Sequence, residues 1–282
     1  MEPFVQQTRP SAPALFMLEP WVSKGSDITA GFSSKNGGVS SGPYDSLNCA
    51  FHVHDRDEDV IRNREAIADV LQLPFEAWTC GEQVHSNHVF EVKAEHQGLG
   101  RMTRASAIQD TDALITNVPG VWLTSFYADC VPLYFWDPVL RAVGLAHAGW
   151  KGTVLEIAGK TIEKMGEAYG SIPSNIRTAI GPSIGACCYE VDEHVMQHVV
   201  NLAHTFSLTD QDPPIYIAKP NGKFMLDLKQ FNRQIMIKAG ILPTNIECST
   251  WCTSCQEEDF FSHRRDQGRT GRMISWIAIE KE

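Results

Sequence analysis

No apolar run in this chain approaches the roughly eighteen residues a membrane-spanning helix requires, so no membrane span is expected. The opening residues, "MEPFVQQTRPSAPALF", lack a basic stretch followed by an apolar core. That argues against a secretory signal and for a cytoplasmic location. Positive charge is scarce: 24 Lys and Arg stand against 34 Asp and Glu, a formal net charge of −10. No nucleic-acid partner is expected, because Lys and Arg carry backbone binding. A single small anion needs only a local cluster of donors. Neither a Walker A pattern nor a G-x-G-x-x-G fingerprint occurs, so no nucleotide cofactor is indicated. The H-x-E…P-C-x-x-C signature is also missing. Eight cysteines in 282 residues are too sparse for a disulfide scaffold. Repeats, low-complexity tracts and long Pro/Gly/Ser linkers are absent. One domain over residues 1–282 is expected, loosely ordered over 1–25, as a monomer or weak homo-oligomer.

What is present is an interleaving of strand and helix patterns. Strand-like segments recur at "AGFSSK", "WTCGEQVHSNHVFEV", "ALIT", "WLTSFYADCVPLYFWD", "AVGLAHAG", "IRTAIGPSI", "FMLDL" and "MISWIAI". Helical periodicity marks "DEDVIRNREAIADVLQL", with acidic residues at its start. "TVLEIAGKTIEKMGEAYG" and "LKQFNRQIMIKAG" repeat it and stop at Gly170 and Gly240. Alternation is not strictly βαβ, so a mixed-sheet α/β domain is the expected class.

Soft or imidazole metal ligands stand at four places: His85 in "EQVHSNH", Cys130 in "ADCVP", His147 in "AHAGW", and the run "ECSTWCTSC". The first three each sit in a strand-like run beside a turn or small residue. Ala146, Ala148 and Gly149 keep space clear around His147. Two imidazoles and one thiolate suit Zn²⁺ or copper, and three protein ligands leave a fourth position open, as in catalytic sites. The competing reading makes the same residues core fillers, since their long spacings force no common geometry. In "SHRRDQGRTGRM", Arg264, Arg265, Arg269 and Arg272 offer forked donors for phosphate, or form a solvated surface turn. Arg64 on the first helix is a second phosphate candidate, and Asn48 in "SLNCA" a candidate for ribose or base.

"QVH", "ADCVP", "AHAGWKGT", "AIGPSIGACCYEV" and "FFSHRRDQGRTGRM" together resemble the signature blocks of the laccase-domain family. Its bacterial members were first called multicopper polyphenol oxidoreductases and later described as purine nucleoside phosphorylases. The likeness runs from "GGVSSGPYDSLNCAFHVHDRDEDVIRNR" to "GRM", nearly the whole chain. It implies a layered α/β/β/α domain similar to the cysteine-hydrolase-like fold. It also implies a metal held by His85, Cys130 and His147. Two departures stand out: "QVHS" replaces the usual "QVHG", and "HVHD" stands where "HVGD" is common, which makes His54 an extra imidazole near the site. Tyr189 and Glu190 fall in the same blocks without an assignable role.

The chemistry this implies is cleavage of adenosine, inosine, guanosine or methylthioadenosine by phosphate, with adenosine deamination as a side activity and zinc, or copper, as cofactor. A purine nucleoside and phosphate are then the partners. A multicopper laccase gathers about ten histidines in paired motifs, whereas only "HVH" at His52 to His54 forms such a pair here. Three other readings stay open: a cysteine hydrolase with Cys130 as nucleophile and His147 as base, a copper-dependent polyphenol oxidoreductase, and a metal-binding or partner-binding protein without turnover. Cys248 with "CTSC" could make a three-thiol cluster, and the adjacent Cys187 and Cys188 are expected to face opposite sides.

Overall fold

The structure, a computed structural model, describes residues 1–7, 12–22, 27–208 and 213–281. One six-stranded sheet runs β1 (Phe4–Gln7), β2 (Leu15–Leu18), β3 (Ile28–Ser33), β15 (Met273–Ile279), β7 (Trp122–Tyr127) and β4 (Trp78–Cys80). A second runs β14 (Ile246–Cys248), β10 (Arg177–Ile180), β8 (Val131–Asp137), β9 (Ala142–Ala148), β6 (Ala113–Thr116) and β5 (Val89–Glu91). A three-stranded sheet joins β11 (Glu190–Val191), β13 (Phe224–Leu226) and β12 (Tyr216–Ala218). Both large sheets mix parallel and antiparallel pairs.

Period-two alternation explains the stacking. On β15, Met273, Ile277 and Ile279 enter a core shared with Leu145 and Tyr134 of the second sheet, while Ile274, Trp276 and Ala278 face the other way. On β9, Val143 and Leu145 enter that same inter-sheet core, and Ala142, Ala146 and Ala148 pack outward. Strands buried on both faces read as unbroken apolar runs, as "MISWIAI" and "AVGLAHA" do. The outer face of the first sheet is covered by α1 (Asp57–Leu71), which buries Val60, Asn63, Arg64, Ile67 and Ala68, an i, i+3, i+4 stripe. Its opening Asp57, Glu58 and Asp59 suit the positive end of the helix dipole. The second sheet is covered by α3 (Ile157–Tyr169), α4 (Glu193–Thr205) and α5 (Leu228–Lys238).

Four sequence expectations need correction. The single helix expected from residue 153 is two: α2 (Trp150–Val154) ends before Glu156, whose φ of 61° breaks the ladder. α3 does stop at Gly170, with φ 78°. The long run "WLTSFYADCVPLYFWD" is also two strands, parted at Ala128–Cys130. The run "WTCGEQVHSNHVFEV" is likewise two strands, β4 and β5, with His85 in the loop between them. Loose order over 1–25 does not hold for the described residues there. Phe4, Phe16 and Leu18 are buried in the inter-sheet core and tie β1 and β2 to the sheet; residues 8–11 and 23–25 lie outside the described ones.

Candidate metal centre and cavity

β8 and β9 are antiparallel neighbours, with Pro132 opposite His147 and Val131 opposite Ala148. Cys130, one step before β8, therefore lies beside the end of β9. β6 pairs with the other edge of β9, placing Ala113 against Ala146, and the backbone carbonyl of the residue before it, Asp112, accepts from the His147 amide at 2.8 Å. His85 comes from the loop between β4 and β5 and has a φ of 63°. Its ring reaches Cys130, with Nε2 at 3.9 Å from Sγ, and meets the His147 ring edge-on at a centroid distance of 4.8 Å. One ligand atom from each of His85, Cys130 and His147 lies within 4.8 Å of the other two.

The Asp112 carboxylate organises this trio, and sequence reasoning missed it. Its Oδ1 accepts from the His85 amide at 3.0 Å and from His147 Nδ1 at 2.9 Å. Its Oδ2 accepts from the Val84 amide at 3.1 Å and from the Ser86 amide and hydroxyl at 2.7 and 2.9 Å. Because a carboxylate can only accept, His147 keeps a proton on Nδ1, so Nε2 is the nitrogen that could face a metal. The fit to a metal is also steric. A Cβ on Gly149 would stand 3.0 Å from His85 Cδ2 and 3.1 Å from Cys130 Sγ, so only glycine leaves the trio clear.

The charges are strongly coupled. Burial would raise the Cys130 thiol, but His147 and then His85 overcome it and bring it down to about 6. Burial likewise disfavours charge on His147, yet the Cys130 thiolate and the Asp112 carboxylate hold it at about 9. Asp112 resists its own burial through the hydrogen bonds from His147 and Ser86 and sits at about 2. Without a metal the site is a thiolate–imidazolium pair braced by a carboxylate.

The trio lines a cavity of about 460 Å³. Phe126, Trp150 and Tyr189 give it aromatic walls, and Lys151, Arg264 and Arg272 bring positive charge. A neighbouring hollow of about 320 Å³ shares His52, Gln83, His85, Phe126 and Arg272. Arg264 lies over the Tyr189 ring at 5.0 Å and donates to the Glu190 carbonyl at 2.6 Å. Asp129, with φ 85°, anchors this wall: its carboxylate accepts from Thr253 Oγ1 at 2.6 Å, Ser262 Oγ at 3.0 Å and the Arg264 amide at 2.7 Å.

The other candidates stand elsewhere. Asn48 is fully buried, and its amide is committed to Ala50, Asp55 and the Arg272 backbone. Arg64 is buried under α1, donating to the carbonyls of Cys49, Gly100 and Arg101 with its guanidinium over Phe51 and Phe126. It borders only the smaller hollow. Arg265 turns back to Asp266 and to the carbonyls of Thr253 and Phe260. Buried carbonyls and carboxylates attract arginine forks as strongly as phosphate does, which is why sequence pattern did not separate these roles. His54 is solvent-exposed and lines neither hollow; His52, two residues earlier, lines both. His52 is exposed like His54, but the protein packed around it, then Arg272 and Arg104, push it down to about 4.

Comparison with known proteins points to one family. Residues 29–280 match the family described as multi-copper polyphenol oxidoreductase laccase. The chain is 41% identical over 274 residues to the purine nucleoside phosphorylase YlmD of Bacillus subtilis, covering 96% of each. It is 32% identical over 258 residues to the mouse purine nucleoside phosphorylase LACC1, covering 89% of this chain and 55% of that one. The crystal structure of YlmD from Geobacillus stearothermophilus superposes with a TM-score of 0.91 at 39% identity, over 99% of this chain and all of that one. With its trio at one strand end and this match over nearly its whole length, the chain belongs to the multi-copper polyphenol oxidoreductase laccase family.

Proposed function

We propose that residues 1–282 act as one catalytic unit that cleaves purine nucleosides with phosphate, giving free base and ribose 1-phosphate. The observation that carries this reading is a basic cavity in an acidic chain. Lys151, Arg264 and Arg272 face a space of about 460 Å³ whose other wall holds His85, Cys130 and His147. Such a volume is in the range of small-molecule sites. The relatives named purine nucleoside phosphorylase support the same reaction.

In that reaction the bond from C1′ to the purine nitrogen breaks, its electron pair leaves with the base, and a phosphate oxygen bonds to C1′. The purine nitrogen takes up a proton, balanced by the one the hydrogen phosphate gives up as its oxygen bonds to C1′. Arg264 and Arg272 hold the phosphate through charge-assisted donors. Tyr189, Phe126 and Trp150 offer faces to the purine ring. His52 and His263, both pushed toward neutral imidazole by the protein packed around them and by Arg272, supply uncharged hydrogen-bonding groups for ribose hydroxyls. Adenosine, inosine and guanosine are the proposed substrates, together with methylthioadenosine, whose sugar product is 5-methylthioribose 1-phosphate; hydrolytic deamination of adenosine to inosine, with water entering and ammonia leaving, is the proposed side reaction.

His85, Cys130 and His147 are the proposed metal ligands, with Asp112 fixing the tautomer of one. Zinc bound there would supply Lewis acidity to a substrate oxygen or nitrogen. Copper also suits two imidazoles and a thiolate. A multicopper oxidase fits less well: among the described residues only two groups of three or more metal-ligating side chains converge, and one of them is all thiol.

One observation favours a second reading. Cys130, His147 and Asp112 also form a thiol–imidazole–carboxylate series, the arrangement of a cysteine nucleophile. Incubation of metal-analysed protein with inosine, with and without phosphate, tests the first reading. Release of hypoxanthine and ribose 1-phosphate only with phosphate is expected; equal base release without phosphate would sink it. A kinetically competent adduct on Cys130, found by mass spectrometry during turnover, would establish the second.

A further inference from the structure

Four of the eight cysteines converge away from the cavity trio. Cys187 and Cys188 lie between β10 and β11, and Cys252 and Cys255 follow β14. These two strands are parallel neighbours, and a bridge from Ser183 to Cys252 continues their pairing into the loops. The expectation that Cys187 and Cys188 face opposite sides fails: both sulfurs approach Cys255 Sγ, at 3.5 and 3.4 Å. Cys248 does not join them. All four sulfurs lie within 4.8 Å of one another.

We propose that Cys187, Cys188, Cys252 and Cys255 form a structural four-thiolate zinc site that clamps these two loops together. A tetrahedral ion with Zn–S bonds of about 2.3 Å sets its sulfurs about 3.8 Å apart, in line with the spacing here. A disulfide would instead need one pair at about 2.05 Å and would leave the other two sulfurs without purpose. Both cysteine pairs sit on tight turns, closed by Cys188 N to Gly185 O at 3.0 Å and by Cys255 N to Cys252 O at 3.1 Å. The Gly185 amide donates to Cys252 Sγ at 3.2 Å, as an amide facing a thiolate would. A Cβ on Gly185 would come within 3.2 Å of Cys187 Sγ and 3.5 Å of Cys252 Sγ, so the glycine opens the cradle. Arg265, the expected phosphate ligand, caps the second turn instead by donating to the Thr253 carbonyl at 3.1 Å.

The clamp has a purpose in the fold. Ile184 and Tyr189, flanking the first cysteine pair, line the cavity. Thr253, inside the second pair, holds Asp129, which holds the Arg264 amide. Zinc there fixes one wall of the cavity without facing it.

Zinc content of the full chain, purified under reducing conditions, tests this separately from the His85, Cys130 and His147 site. About two zinc ions per chain are expected in the wild type, about one in Cys252→Ser/Cys255→Ser and about one in His147→Ala. One zinc that persists in His147→Ala and disappears from the double serine variant upholds the clamp and sinks the cavity metal. One zinc lost entirely in His147→Ala overturns the clamp. Should the double variant fail to fold, cobalt(II) added to metal-stripped His147→Ala decides: strong thiolate-to-cobalt charge-transfer absorption is expected, and its absence refutes the site. Resistance of any pair among the four to alkylation in metal-free, unreduced protein would reveal a disulfide and also overturn the proposal.

Discussion

Asp112→Asn probes the organisation of the proposed metal centre most directly. The carboxylate accepts five hydrogen bonds, two at Oδ1 from His85 and His147 and three at Oδ2 from Val84 and Ser86. An asparagine can turn its oxygen to only one side. Facing the three donors, its NH₂ opposes the His85 amide and His147 Nδ1. His147 then either keeps its proton and clashes donor to donor, or shifts it to Nε2 and loses the lone pair a metal needs. A buried donor left unmatched costs about 1–3 kcal/mol. In a chain of this size that corresponds to a fall in melting temperature of about 2–10 °C. Zinc affinity should fall at least the roughly 10–100-fold typical of losing such a partner. Chelator competition gives the affinity, and thermal melts of metal-free protein give the stability. An Asn variant that binds zinc within about twofold of wild type would refute the assignment of tautomer control to Asp112.

Gly149→Ala should fold yet bind zinc at least about tenfold more weakly, because its new Cβ lies 3.0 Å from His85 Cδ2 and 3.1 Å from Cys130 Sγ; chelator competition again reads it. Arg264→Ala should raise the KM for phosphate about tenfold or more at little cost to melting temperature. Arg265→Ala should do the reverse, lowering the melting temperature while leaving phosphate KM nearly unchanged. Zinc binding near pH 7 should release about one proton, seen as buffer-dependent heat, since His147 titrates at about 9 in the metal-free site and must lose its Nε2 proton to ligate. Affinity therefore falls as pH falls; proton-free binding at neutral pH would contradict the imidazolium. In metal-free protein, alkylation of Cys130 should be half-maximal near pH 6 and slow below it, because the thiolate is lost as pH drops through that value.

Of the three proposed ligands, two stood out in the sequence because strand patterns name their own edges, whereas His85 lies in the loop between β4 and β5. "ADCVP" and "AHAGW" place Cys130 and His147 at the ends of runs that pair, and small neighbours mark the space around them. "ALIT" and "MISWIAI" coincide with β6 and β15 for the same reason, both faces being buried. Asp112 was not legible: an aspartate before a strand is also an ordinary turn residue, and only the pairing of β6 with β9 brings it to His147. Arg64 misled in the opposite way. Its helix stripe position, three residues from Ile67 and four from Val60, predicts burial, yet its charge suggested a ligand. β1, β2, β11, β12 and β14 escaped notice, being only 2–4 residues long.

The hairpin of β8 and β9 makes the proposed metal centre sensitive to chain length at its far end. Its turn, residues 138–141, is pinned by Asp137 Oδ1, which accepts from the Val139 and Leu140 amides at 2.9 and 3.1 Å. Val139 and Leu140 themselves are 68% and 41% exposed, so their side chains are open to exchange. Removing one residue is another matter. Seven paired residues, about 20 Å of strand, carry any slip at the turn to the other end. There Cys130 would move about 3.3 Å along the strand, and β8 would present its opposite face to the helices. Point substitutions at this turn are therefore tolerable for metal binding, while a single insertion or deletion is not.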